Sequence, residues 1–175
     1  FVQVEITTTN RNDPDPAPAQ RLSAKLDKLQ RPGDVQAQQA PLREWWEALA
    51  RQYQGQRVDF SANGVEWETL VPKALFDSVA DNLLHNAIAK RAGGTAIRIQ
   101  ATLSGGAVPH LRVCDSGKAV PPEVASVLLR APVRSSRGLG IGLYQATRHA
   151  ETNGYALTLA ENRDGAVCFA LQRAG

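Results

Sequence analysis

Ser135-Ser136-Arg137-Gly138-Leu139-Gly140-Ile141-Gly142-Leu143-Tyr144 sets glycine at three alternate positions and leads straight into a helical pattern that continues to about Asn153. Glycines spaced this way free backbone N–H groups at a helix entrance, where the dipole and the unpaired donors favour phosphate oxygens. A dinucleotide fingerprint would need Gly-x-Gly-x-x-Gly after a first strand, with an acidic residue about twenty positions on. The spacing here is Gly-x-Gly-x-Gly, and no Walker lysine follows. Both familiar phosphate loops are therefore excluded on the local pattern, and a glycine loop of another kind remains.

Upstream, Leu111-Arg112-Val113-Cys114-Asp115-Ser116-Gly117 alternates like a short strand, ends in a carboxylate and turns on a glycine. A strand-end Asp115 can accept a hydrogen bond from an exocyclic amino group such as adenine N6, and Gly117 lets the backbone pass close to a ring. An Asp-Ser-Gly turn without function is the competing reading. Further upstream, Leu75, Val79, Leu83, Ala87 and Lys90 recur at helical spacing over 71–91, with Pro72 suited to the first helical position. Asn82 and Asn86 then share one face, one turn apart. Carboxamide oxygens are hard, uncharged ligands that suit a Mg2+ held mainly by phosphates and water. Against this stands a purely structural role for Asn82, capping or hydrogen-bonding inside a packed helix.

The three blocks in this order resemble the N, G1 and G2 boxes of the GHKL ATPase superfamily, most closely the catalytic ATP-binding domain of sensor histidine kinases. Asn82-Leu83-Leu84-His85-Asn86-Ala87 resembles the N box, Asp115-Ser116-Gly117-Lys118-Ala119-Val120-Pro121 the G1 box, and Gly138-Leu139-Gly140-Ile141-Gly142-Leu143 the G2 box. The likeness spans about 42–171. It implies that Asn86 ligands Mg2+ and Asn82 supports the metal or its waters. It also implies that Asp115 takes the adenine amino group beside Gly117, and that Arg137, Gly138, Leu139, Gly140, Ile141, Gly142 and Leu143 surround the phosphates of ATP. The family's phosphate-contacting base commonly lies three residues after the second Asn, where this chain has Ala89; Lys90 is the candidate substitute. Ala119 stands where a second glycine is frequent, and no Phe lies between Gly117 and Gly138. Lys118, Arg130, Arg134 and Arg137 are the cations available to the intervening loop.

The implied fold is α/β: a two-layer, Bergerat-type sandwich in which helices cover one face of a mixed, largely antiparallel sheet, with a mobile ATP lid over 118–137. The pattern reads as a helix over 41–54 with Leu42, Trp45, Trp46 and Leu49 on its apolar face, then strands near 57–60, 66–71, 95–102 and 111–114. A closing hairpin is expected over 155–160 and 166–171. Residues 1–8 alternate weakly like a strand, and 10–18, with three prolines, read as linker. Leu22, Leu26 and Leu29 form a helical stripe over 20–30. By position this stripe resembles the dimerisation helix that precedes the catalytic domain in sensor kinases, with coil or a satellite helix on the core as the alternative; residues 1–40 are expected to be an N-terminal extension, linker or remnant of that helix, and 41–175 the ATP-binding catalytic domain.

At 175 residues and 43% hydrophobic composition the chain has material for one core, and no run of about 18 apolar residues that could span a bilayer. Its net charge of +3 is scattered, without the basic stripe that nucleic acid would call for. Cys114 and Cys168 fall in apolar strands, where buried free thiols are expected, in keeping with a reducing cytoplasm. The chain begins at Phe1 and has no Met, as an excised piece of a longer protein would.

The functional expectation is an ATP-Mg-binding histidine protein kinase domain, the cytoplasmic part of a membrane-bound two-component sensor. It would hand the γ-phosphoryl to a histidine on a separate dimerisation domain, from which a response regulator receiver domain would be served. None of His85, His110 and His149 lies in a phosphoacceptor-like context. The alternatives are another GHKL kinase, of the anti-sigma serine kinase type, and a degenerate nucleotide-binding module that catalyses nothing.

Overall fold

The computed structural model describes residues 38–92, 96–133 and 141–175. The strand, linker and helix expected before residue 38 lie outside them. So do Arg134 and, within the glycine run, Arg137, Gly138, Leu139 and Gly140.

The described residues open with β1 (Gln39–Pro41) and α1 (Leu42–Gln52), followed by β2 (Val58–Ala62) and β3 (Leu70–Pro72). Next come α2 (Lys73–Arg91), β4 (Ile99–Ser104), β5 (His110–Asp115) and the short α3 (Pro122–Ala125). It closes with α4 (Gly142–Thr152), β6 (Tyr155–Arg163) and β7 (Ala166–Arg173). Five strands form one sheet in the order β2-β4-β5-β7-β6, with β2 and β4 parallel and every other neighbour antiparallel. β1 and β3 pair separately as an antiparallel ribbon. The mixed, largely antiparallel sheet expected from the sequence is present. Pro72 caps α2 with extended geometry and ends β3, one residue earlier than the expected helical position, because a proline at the junction can close a strand as readily as it opens a helix.

Strand alternation sends Ile99, Ala101 and Leu103 of β4, Leu111 and Val113 of β5, and Val167 and Leu171 of β7 to one face, all buried. α2 covers that face with Leu75, Phe76, Val79, Leu83, Leu84 and Ala87, and α4 adds Leu143, Ala146 and Ala150. α1 closes the edge: Trp45 packs edge-on against Phe76 at 5.1 Å and Trp46 against Phe60 at 5.2 Å. The Trp45 indole N–H donates to Asp77 Oδ1 at 2.9 Å, so the ring is buried without orphaning its donor.

The other sheet face carries Asp59, Gln100, Arg112, Cys114 and Glu161 around a concave space of about 640 Å³. Here one expectation fails. Cys114 and Cys168 are not free thiols but a disulfide, with Cα atoms 4.1 Å apart, so the cysteines no longer argue for a reducing compartment. The cause is register: the two cysteines stand directly opposite on β5 and β7. Cα atoms come closest at such cross-strand positions, and residue type alone does not reveal the pairing.

Candidate functional site

Asp115 is the last residue of β5 and points to the helical face, between Ile99 and Val167, its neighbours in register. It is only 6% exposed. A carboxylate among such neighbours must be hydrogen-bonded, and it is: Oδ1 accepts the Gly117 N–H at 3.0 Å, and Oδ2 accepts from Lys90 Nζ at 2.7 Å. Gly117 is held close to the same group, for a Cβ there would come within 2.7 Å of Asp115 Oδ1 and 3.2 Å of Ile97 Cδ1. The turn is thus a tight cradle with an acceptor at its base, the local chemistry expected from Asp-x-Gly.

Above it runs α2. Asn82 is half-buried and donates from Nδ2 to the Ser78 carbonyl at 2.7 Å. Its Oδ1 occupies the position a Cβ on Gly142 would take, so the first residue of α4 abuts the first asparagine of the pair. Asn86 lies one turn on and is exposed. Asn82 thus hydrogen-bonds within its own helix while its carboxamide oxygen lies against the start of α4. Lys90, expected at the phosphates, instead sits on Asp115. His85 is exposed on the helix surface, its Nδ1 2.8 Å from the Asp81 carbonyl.

Of the glycine run, Ile141, Gly142 and Leu143 are described; Gly142 starts α4, and Leu143 is buried against the core. Among the described residues no group of three or more His, Cys, Asp or Glu side chains could hold a metal ion.

Sequence reading missed two residues. Asn162 accepts the Val120 N–H at 2.7 Å and donates to the Val120 carbonyl at 2.9 Å, while Asp164 accepts the Ala119 N–H at 2.9 Å. The Gly165 N–H donates to the Gly117 carbonyl at 2.8 Å. The segment leaving Gly117, expected to begin the lid, is therefore fastened to the β6–β7 turn as far as Val120. The run Asn-Arg-Asp-Gly at 162–165 is of turn-forming type, but residue type does not state what such a turn will hold.

The family model described as histidine kinase-, DNA gyrase B- and HSP90-like ATPase matches residues 72–172, more than half of the chain. No curated protein matches. Among solved structures, the catalytic domain of histidine kinase ThkA superposes with a TM-score of 0.60 at 20% identity, covering 78% of this chain and 93% of that one. Full-length ShkA in complex with AMPPNP gives 0.59 at 18%, covering 79% of this chain and 31% of that one. ThkA in complex with the response regulator protein TrrA gives 0.58 at 18%, covering 89% and 47%.

Proposed function

The chain belongs to the histidine kinase-, DNA gyrase B- and HSP90-like ATPase family, and from that premise we propose that it is the ATP-Mg-binding catalytic domain of a two-component sensor histidine kinase. The observation that carries the proposal is the buried Asp115 carboxylate beside Gly117, under the helix that bears Asn82 and Asn86. In this reading Asp115 accepts the adenine amino group and Gly117 lets the ring lie against the backbone. Asn86 supplies a hard oxygen to Mg2+, and Asn82 orients that helix against the start of α4. The residues of the glycine run, Arg137 to Leu143, receive the phosphates at the helix entrance. When bound, ATP with Mg2+ supplies a charge-neutralised phosphoryl group; the protein's own share is positioning.

The fit is supported by the donor set: a buried acceptor for a base, a glycine too crowded to take a Cβ, and neutral amides rather than a carboxylate cage. The phosphoryl acceptor is a histidine of the parent's dimerisation and phosphoacceptor domain, and a response regulator receiver domain is the next partner, by analogy with the complex of ThkA and TrrA. No helix among the described residues is long and apolar enough to cross a membrane; we place the domain on the cytoplasmic side of a membrane-bound sensor.

Calorimetry of ATP with and without Mg2+ on the wild type and Asp115→Asn tests the reading. Binding that depends on Mg2+ and weakens roughly tenfold or more in the variant is the expected result. Equal affinity in both proteins would refute it. The position of Lys90, on Asp115 rather than free for phosphates, favours a second reading as a non-catalytic nucleotide-binding module. Phosphotransfer to a supplied dimerisation domain separates the two.

A further inference from the structure

One side chain occupies both halves of the base cradle. The Lys90 ammonium holds Oδ2 of Asp115 at 2.7 Å, and its Cδ lies 3.7 Å from where a Gly117 Cβ would be, so the aliphatic stem borders the same glycine. The other carboxylate oxygen accepts the Gly117 N–H. The Lys90 side chain is 32% exposed and the Asp115 side chain 5%, so the ammonium has a route to solvent that the carboxylate lacks. Lys90 is also the next-to-last residue of α2, where the stem can swing without disturbing the buried stripe that ends at Ala87.

We propose that Lys90 is an internal competitor for the purine: its ammonium and stem stand in for the base on Asp115 and Gly117, and nucleotide binds only as Lys90 leaves. The inference rests on the reading of Asp115 as the base-recognising carboxylate and adds to it a built-in attenuation of affinity. A base whose site is open only part of the time binds with an affinity reduced by that fraction. An ion pair with one partner partly in water holds the closed arrangement modestly, so the attenuation is about three- to tenfold.

Neutral replacements remove the competitor while keeping much of its length. Lys90→Met and Lys90→Gln, each checked for a cooperative thermal transition, are titrated with ATP-Mg by calorimetry beside the wild type. The expected result is Kd lowered about three- to tenfold in both variants. The ratio of wild-type to variant Kd should also shrink toward one as salt rises from about 50 mM to about 0.5 M, because screening loosens the ion pair only where it exists. A salt-independent ratio would point to altered packing and overturn the proposal. Unchanged or weaker binding by both neutral variants, with the wild type still binding, overturns it too, and weaker binding would assign Lys90 to the phosphates. If no protein binds ATP-Mg, wild type included, the nucleotide reading itself fails and takes this inference with it.

Discussion

The carboxamide oxygen of Asn82 fills the volume that a Cβ on Gly142 would need, so the asparagine helix and the helix that begins inside the glycine run approach as closely as they do only because residue 142 has no side chain. The Asn82 amide is itself tethered to the Ser78 carbonyl and cannot simply rotate away. Gly142→Ala should therefore destabilise the domain by about 1–3 kcal/mol, the usual cost of forcing extra volume into packed structure. Asn82→Ala removes the obstacle, and the double variant should recover part of the loss, giving a coupling of about 1–2 kcal/mol in urea unfolding. Additive effects would mean that the two residues do not meet.

Tyr53 packs behind the same helix, 5% exposed, and its hydroxyl donates to Asp81 Oδ1 at 2.8 Å. Burial, and then the hydrogen bond and charge of Asp81, push its pKa well above the ordinary 10.0. The folded state thus prefers the neutral phenol, whereas the unfolded chain ionises near the ordinary value. Stability from this source is intact below about pH 10 and is lost as pH rises above it. Burial also raises Tyr155, which adds to the same alkaline slope. Tyr53→Phe should cost about 1 kcal/mol at neutral pH and leave a shallower decline above about pH 10, where Tyr155 still contributes. Parallel declines in wild type and variant would remove Tyr53 from the account.

The Cys114–Cys168 bridge closes a separation of 54 residues and borders the concave open face of the sheet, where a reductant can approach it. Reduction should lower the unfolding free energy by about 2–4 kcal/mol through the freed unfolded chain. A Cys114→Ser/Cys168→Ser variant should show the lowered stability at once and no further response to reductant. Identical urea midpoints for the wild type with and without reductant would show that the bridge contributes nothing.

Local pattern carried most of the fold. Apolar spacing marked α1 and α2 to within two residues of their bounds, and the closing hairpin was legible from the pattern over 155–160 and 166–171. The middle strands were displaced by a few residues: 66–69 form turn rather than strand, and β4 begins at Ile99 rather than 95. What stayed hidden depends on which residues of distant segments stand opposite one another. Cys114 meets Cys168 because β5 and β7 align at that register, and no feature of either residue's neighbours states it. Lys90 reaches Asp115 across a separation of 25 residues because α2 crosses the end of β5; from the sequence it was a candidate for the phosphates, and its nearness to Asp115 was not legible. Asn162 and Asp164 stand at the end of β6 and in its turn to β7, and their second use, holding another segment, exists only once the sheet is assembled.

That second use leads to a local prediction. Asn162 treats Val120 as a neighbouring strand would, accepting from its N–H and donating to its carbonyl, and Asp164 takes the Ala119 N–H one residue earlier. These hydrogen bonds are exposed, so they should hold the segment in place more than they stabilise the whole domain. Asn162→Ala should raise hydrogen exchange at the Val120 amide by roughly tenfold, the loss of about one hydrogen bond of local protection, while global unfolding shifts by less than about 1 kcal/mol. Asp164→Ala should raise exchange at Ala119 and leave Val120 protected, because Asn162 still holds it. If Val120 exchanges at the same rate in Asn162→Ala as in the wild type, the segment after Gly117 is held by something other than the β6–β7 turn.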